Sequence, residues 1–141
     1  MTIIRTKTSL TMEAARKLVD AAIDAARKRG LSIAVAVVDS EGAPLALIRM
    51  DGVPAPIAGF AQDKAYTAAV TGQPSRQFGE HMTSSKAMSL GLAGRPHFLV
   101  WGGGVPARHD GAVVGGIGVS GGPEDEDIAC ATQALELVGL G

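Results

Sequence analysis

The residues best equipped for chemistry begin with Arg49, Asp51 and Lys64. Arg49 and Asp51 stand two apart at the end of an apolar run, so on an extended chain they share one side. An arginine fork grips a carboxylate through two parallel hydrogen bonds, so one reading makes Arg49 an anion clamp. The other pairs it with Asp51, in solvent or between subunits. Lys64 follows on the next helix. It is either a solvated lysine or a second cation lining a pocket beside Arg49.

Two histidines come next. If glycines 102–104 form a turn, Trp101 pairs with Val105, and His97 falls opposite His109. Directly opposed residues hold their Cβ atoms about 5 Å apart. Imidazoles that close bind a metal, ligate haem or share a proton. The alternative is two partly exposed histidines in another register. His81 sits on a short polar helical piece and reads as surface.

The third feature is the stretch Gly102 to Gly122, GGGVPARHDGAVVGGIGVSGG, which holds nine of the 19 glycines. Asp110-Gly111 between two strand-like runs is a tight-hairpin signal. Beyond it, Val113, Gly115, Ile117 and Val119 alternate with Val114, Gly116, Gly118 and Ser120. One face is branched and the other nearly bare, so a packed helix, another subunit or a flat ligand approaches the backbone there. Gly116 to Gly121 spells GxGxxG, the dinucleotide fingerprint. No strand follows the next helix, and Glu124 and Asp125 occupy the helix end where a pyrophosphate would sit, so dinucleotide binding is rejected.

These residues need elements to position them. A chain of 141 residues fits one domain, 1–141, with a real core. Thr11 caps a helix running to about Arg29, with Gly30 as its stop and Ala15, Leu18, Ala22 and Ala26 on its apolar stripe. Residues 33–38 read as a central strand and 45–50 as its return. Residues 57–70 form a second helix, with Phe60, Lys64, Thr67 and Thr71 along one face. Helical pieces follow at 74–82 and from Ser84 or Ser85 to Leu90. Strands are expected at 97–101, 105–109 and 112–120. Pro123 and four acidic residues open the last helix. Tight hairpins make the sheet antiparallel. The class is α/β of the α+β kind, with a five-stranded, mainly antiparallel sheet packed with helices.

Net charge is −1 and aromatic residues are 4% of the chain, so neither a basic field nor a base-stacking platform for nucleic acid is present. No apolar run is long enough to span a membrane and no secretory signal opens the chain, so a cytoplasmic protein is expected. Cys130 is the sole cysteine, and no metal site is read.

The motifs together resemble the GlcG/HbpS haem-binding family, related to the C-terminal domain of PduO-type proteins. GGGVPARHDGAVVGGIGVSGGPEDED carries most of the likeness, with VVDSEGAPLALIRMDG and QDKAYTA upstream. The resemblance implies a profilin-like sheet between helices. It also implies a homo-oligomer built of dimers, often an octamer, with pockets near subunit contacts. Arg49, Asp51, Lys64, Gly103, Pro106, Gly118, Ser120, Gly121, Gly122 and Asp127 fall on family motif positions. Many members carry a haem-ligating histidine late in the first helix, and that position here is Ala25.

Two functions follow as expectations. One is a binding protein holding haem or another small flat, carboxylate-bearing ligand through Arg49, Asp51, Lys64, Gly103, Pro106, Gly118 and Ser120. The other is a small catabolic isomerase, hydrolase or deaminase acting on an organic acid. There Arg49 and Lys64 orient the carboxylate, and His97 or His109 moves the proton. A scaffold oligomer without chemistry is a third.

Overall fold

Thr11 begins the first helix as expected, its hydroxyl accepting a hydrogen bond from Ala14 N at 3.2 Å. A computed structural model describes residues 1–141. Helix α1 spans Met12–Lys28, and Gly30 at φ +69° turns the chain out of it. Strands β1 (Ala34–Asp39) and β2 (Pro44–Arg49) form a hairpin, followed by α2 (Pro56–Thr71), α3 (Ser75–Thr83) and α4 (Lys86–Ala93). Strands β3 (Gly104–His109) and β4 (Ala112–Ser120) form a second hairpin, and α5 (Glu124–Val138) ends the chain. Asp110 at φ +49° and Gly111 at φ +78° supply the two left-handed positions of the tight turn between β3 and β4.

The sheet has four strands, not five, in the order β2-β1-β4-β3, every pair antiparallel. The missing strand is 97–101. That apolar run leaves the sheet plane and lies across α2 as an irregular strap, beginning with His97 at φ +70°. Its hydrogen bonds go to side chains instead of a ladder. Leu99 N donates to Thr67 Oγ1 at 2.9 Å, and Ser75 Oγ donates to Trp101 O at 2.7 Å. Phe98 packs edge-on to Tyr66 and stacks on Phe78, and Trp101 meets Phe60 edge-on with ring centroids 5.2 Å apart.

The sheet is sandwiched. Its main core, built on Leu18, Ile33, Val35, Val37, Ile117, Val119 and Leu135, lies under α1 and α5. The other face meets α2 through Ala34, Ala36, Val38, Ala61, Ala65 and Ala69. The bare glycine face is therefore covered by a helix of the same chain. A Cβ on Gly118 would collide with the Ala61 carbonyl and the Ala65 amide, and one on Gly116 with the Ala65 carbonyl. Only hydrogen fits at that spacing.

The alternation along β4 holds from Gly115 to Ser120 and fails before it. Ala107 pairs with Gly115 but Arg108 pairs with Val113, so Val114 is the extra residue of a bulge. It turns into the α1/α5 core, while Val113 reaches Gly72 at the end of α2. No helix is long and apolar enough to cross a membrane.

Candidate functional site

Helix α2 ends its contact with the sheet where β4 runs out, and a cleft of about 430 Å³ opens there. Ile57, Phe60 and Lys64 come from α2, Trp101 and Gly102 from the strap, Ser120 to Gly122 from the end of β4, and Glu124 and Asp127 from α5. Phe60 and Lys64 lie one turn apart, so both reach the cleft from one helix face. Pro123 starts α5 and points its first turn back at the cleft, which brings two carboxylates to the opening.

Lys64 forms the base. Its residue is 3% exposed, and its Nζ donates to Val119 O at 3.0 Å and stands 3.6 Å from Asp127 Oδ2. Gly103, at φ +129°, lets the chain pass close over the lysine; a Cβ there would lie 3.0 Å from Nζ. Burial holds the Lys64 amine below its ordinary range, against the attraction of Asp127. Burial also pushes the Asp127 carboxyl up to about 6, although Lys64 and the Gly122 amide, donating at 2.9 Å, both favour its charged form. Two ions taken out of water this far are only partly compensated by each other.

Glu124 holds the outer wall. Its Oε1 accepts from Gly102 N, and its Oε2 receives Arg76 at 3.0 Å, while Arg76 also reaches Asp125 at 2.9 Å. That pairing keeps the Glu124 carboxyl below the usual range. The cleft thus contains one cation and two carboxylates, with the second cation held outside.

The residues expected from sequence divide between several places. Lys64, Gly103 and Ser120 belong to this cleft or its lining backbone. Arg49 does not join Lys64. It ends the edge strand β2, donates to Val53 O, and lines a different cleft with Asp51, Arg27, Ser32 and Met50. The loop between β2 and α2 is short, but it turns the two cations toward separate openings. The counter-ion of Lys64 is Asp127, not Asp51. Gly118 is sealed beneath the Ala61–Ala65 turn of α2, and Pro106 lines a third cleft beside Leu135 and Gly141.

The histidines do not meet. Without a strand at 97–101 there is no register to oppose them. His97 lies over α2 beside Tyr66, with Nδ1 3.3 Å from Asp63 Oδ1. His109 closes β3 opposite Ala112, with Nε2 3.4 Å from Asp110. Neither lines the Lys64 cleft.

Sequence reasoning missed the site roles of Phe60, Trp101, Glu124 and Asp127. Phe60 was legible as a partner of Lys64 on one helix face. Trp101 was legible as the sole tryptophan at the edge of a glycine turn. In the run Glu124 to Asp127 the family motif position falls on Asp127 alone, but local pattern does not show that this acid is buried against Lys64; that depends on how α5 leaves the sheet.

Comparisons with known proteins agree with this architecture. A family model described as "Haem degrading protein HbpS-like" matches residues 10–136. Protein GlcG of Escherichia coli (strain K12) is 34% identical over 118 residues, covering 83% of this chain and 85% of that protein. The crystal structure of HbpS superposes with a TM-score of 0.87 at 34% identity, covering 96% of this chain and 94% of that one. The crystal structure of a PduOC:heme complex superposes with a TM-score of 0.85 at 24% identity, covering 95% and 98%, and shares the fold.

Proposed function

The chain belongs to the HbpS-like family, and on that footing we propose that it is a small-molecule-binding protein whose ligand seats in the Lys64 cleft. The observation that carries this reading is a buried amine–carboxyl pair at the base of an opening walled by Phe60 and Trp101. Ligand sites combine apolar and aromatic walls with a few placed polar groups, and this cleft has that composition. A flat ligand lies against the aromatic edges and directs an oxygen to Lys64, Asp127 and Ser120. A carboxylate-bearing ligand meets Asp127 and Glu124 as well as Lys64. Its binding therefore draws a proton onto Asp127, which a neutral ligand does not require.

Haem is the second reading, favoured by the family's description and by the likeness to HbpS. The residues present do not fit the iron. No histidine, cysteine or methionine lines the cleft, Lys64 is held by Asp127 and Val119, and Ala25 offers only a buried methyl group. Haem held here relies on its ring faces and propionates, without an iron ligand from this cleft.

Assembly as a homo-oligomer of dimers, with the cleft near a subunit contact, remains part of the proposal. The bare glycine face, where another subunit was one of the expected neighbours, is covered by α2 of the same chain, so the support for assembly is the family resemblance. Light scattering tests it.

Trp101 is the sole tryptophan and is half exposed at the cleft, so its fluorescence reports occupancy. Titration with haemin, flat aromatic carboxylates and neutral aromatic carbonyl compounds is expected to give a saturable change with at least one class. Loss of that change in Phe60→Ala supports the site. Absence of response to every class, or an unaltered response in Phe60→Ala, removes it.

A further inference from the structure

We propose that Lys64 is a carbonyl-capturing amine, forming an imine with a small neutral aldehyde that enters the cleft. The inference rests on the cleft being a ligand site and names the chemical class it takes.

Four observations converge on it. Lys64 is almost wholly buried yet lines an opening, so its amine can be met by a ligand but is poorly solvated by water. A carboxyl group stands 3.6 Å away, beyond a tight hydrogen bond but within reach for proton exchange. The walls are Ile57, Phe60 and Trp101, which suit an aryl or short alkyl group. The remaining charges are carboxylates, Glu124 and Asp127, which repel an acid such as an α-keto acid and accept an uncharged aldehyde.

A desolvated lysine is the standard nucleophile for carbonyl capture, because the neutral amine is the reactive form. Burial lowers the Lys64 amine and raises the Asp127 carboxyl, so moving one proton from lysine to aspartate converts the resting pair into nucleophile and acid. The Nζ lone pair then forms a bond to the aldehyde carbon, and the carbonyl π pair moves to oxygen. A proton passes from nitrogen to that oxygen, giving a neutral carbinolamine. Asp127 protonates the hydroxyl, water leaves with the C–O bonding pair, and the nitrogen lone pair closes the C=N bond. The products are a protonated imine on Lys64, an Asp127 carboxylate and one water. The new ion pair replaces the old one at the same place, and the reaction needs no oxidant or second substrate.

The test uses the intact wild-type chain, benzaldehyde at low concentration and neutral pH, and sodium cyanoborohydride to fix any imine as a benzylamine. Peptide mapping then compares Lys64 with Lys7, Lys17, Lys28 and Lys86. Early labelling at Lys64 about tenfold faster than at any other lysine is expected, because the cleft holds the aldehyde beside a desolvated amine while the other lysines meet it only by collision. Benzyl alcohol, which fills the cleft without a carbonyl, should slow it. Lys64→Arg should leave only the slow background. Even labelling of all five lysines, or none at Lys64, overturns the proposal. Trp101 fluorescence in the same samples separates the two levels. A saturable change with benzaldehyde but no adduct on Lys64 rejects imine formation and leaves the binding site intact. No change with benzaldehyde, where haemin or an aromatic carboxylate still gives one, rejects the aldehyde as occupant, and no change with any of the three classes rejects the site itself.

Discussion

Lys64 Nζ lies 3.6 Å from Asp127 Oδ2, and the two side chains are 4% and 3% exposed. They come from helices on opposite faces of the sheet and meet only past the end of β4. Breaking a buried pair by removing one partner leaves an uncompensated charge, at a cost of about 3–5 kcal/mol. Asp127→Asn and Lys64→Met are each expected to lower unfolding stability by this order. The double variant should lose less than the sum of the two. Urea denaturation of the four proteins checks the cycle.

Acidity changes stability through the same carboxyl. Asp127 is raised from 3.8 to about 6 in the folded chain, so the folded form holds a proton that the unfolded chain has released. Its contribution is fully present below the unfolded value and is lost as pH rises through the folded one. Stability is expected to fall by on the order of 2 kcal/mol between pH 4 and 6.5 from this group. Lys64 acts in the other direction at higher pH. Its lowered value makes the unfolded chain bind more protons, so its contribution rises with pH up to 10.5. Asp127→Asn should flatten the acid arm when its pH profile is subtracted from that of the wild type.

Gly118→Val should be severely destabilising. The obstacle is backbone of α2, the Ala61 carbonyl and the Ala65 amide, which cannot rotate aside as a side chain can. Overpacking a core costs about 1–3 kcal/mol, and displacing a helix costs more. Thermal unfolding of the variant gives the result; an unchanged melting temperature means that α2 can lift freely from the sheet.

Thr67→Val keeps the shape of a fully buried side chain and removes its hydroxyl. Leu99 N then loses its acceptor, while Thr67 no longer donates to Asp63 O at 2.8 Å. Leu99 is half-buried, so the loss is expected at about 1 kcal/mol, the low end of the cost of an unpaired buried donor. Hydrogen exchange is expected to quicken at Leu99 and its neighbours while β1 and β4 stay protected.

Arg49→Ala should leave ligand response at Trp101 unchanged, because Arg49 lines another cleft. The same titration that identifies a ligand tests this. A clear loss of affinity would mean that the two clefts act on one ligand.

The parts of the fold legible in sequence are those fixed by local rules. The Asp110-Gly111 turn, the Thr11 cap, the first-turn acids of α5 and the glycine face of β4 each follow from a residue's own conformational or packing demands. The strand assigned to 97–101 fails because an apolar run between Pro96 and Gly102 has the same pattern whether it pairs in a sheet or packs on a helix. The choice is made at a distance, by Thr67 and Ser75 offering hydroxyls, by Tyr66 and Phe60 offering edge-on ring contacts and by Phe78 offering a ring face. The pairing of the two histidines falls with that strand. Lys64 was legible as a residue of interest, but its partner was not. Asp127 stands 63 residues away, and only the meeting of α2 with α5 selects it from four adjacent acids.

The strap that carries Trp101 is hung from three anchors: Thr67 on α2, Ser75 at the start of α3, and Glu124 at the start of α5. Three anchors tie the backbone on either side of Trp101 to three helices, so the point from which the indole projects is set by their relative positions. The tryptophan is in effect the pointer of a mechanical gauge. Its emission registers the spacing of three helices as well as whatever lies against it, and strain applied to any one of them is read out at the mouth of the cleft.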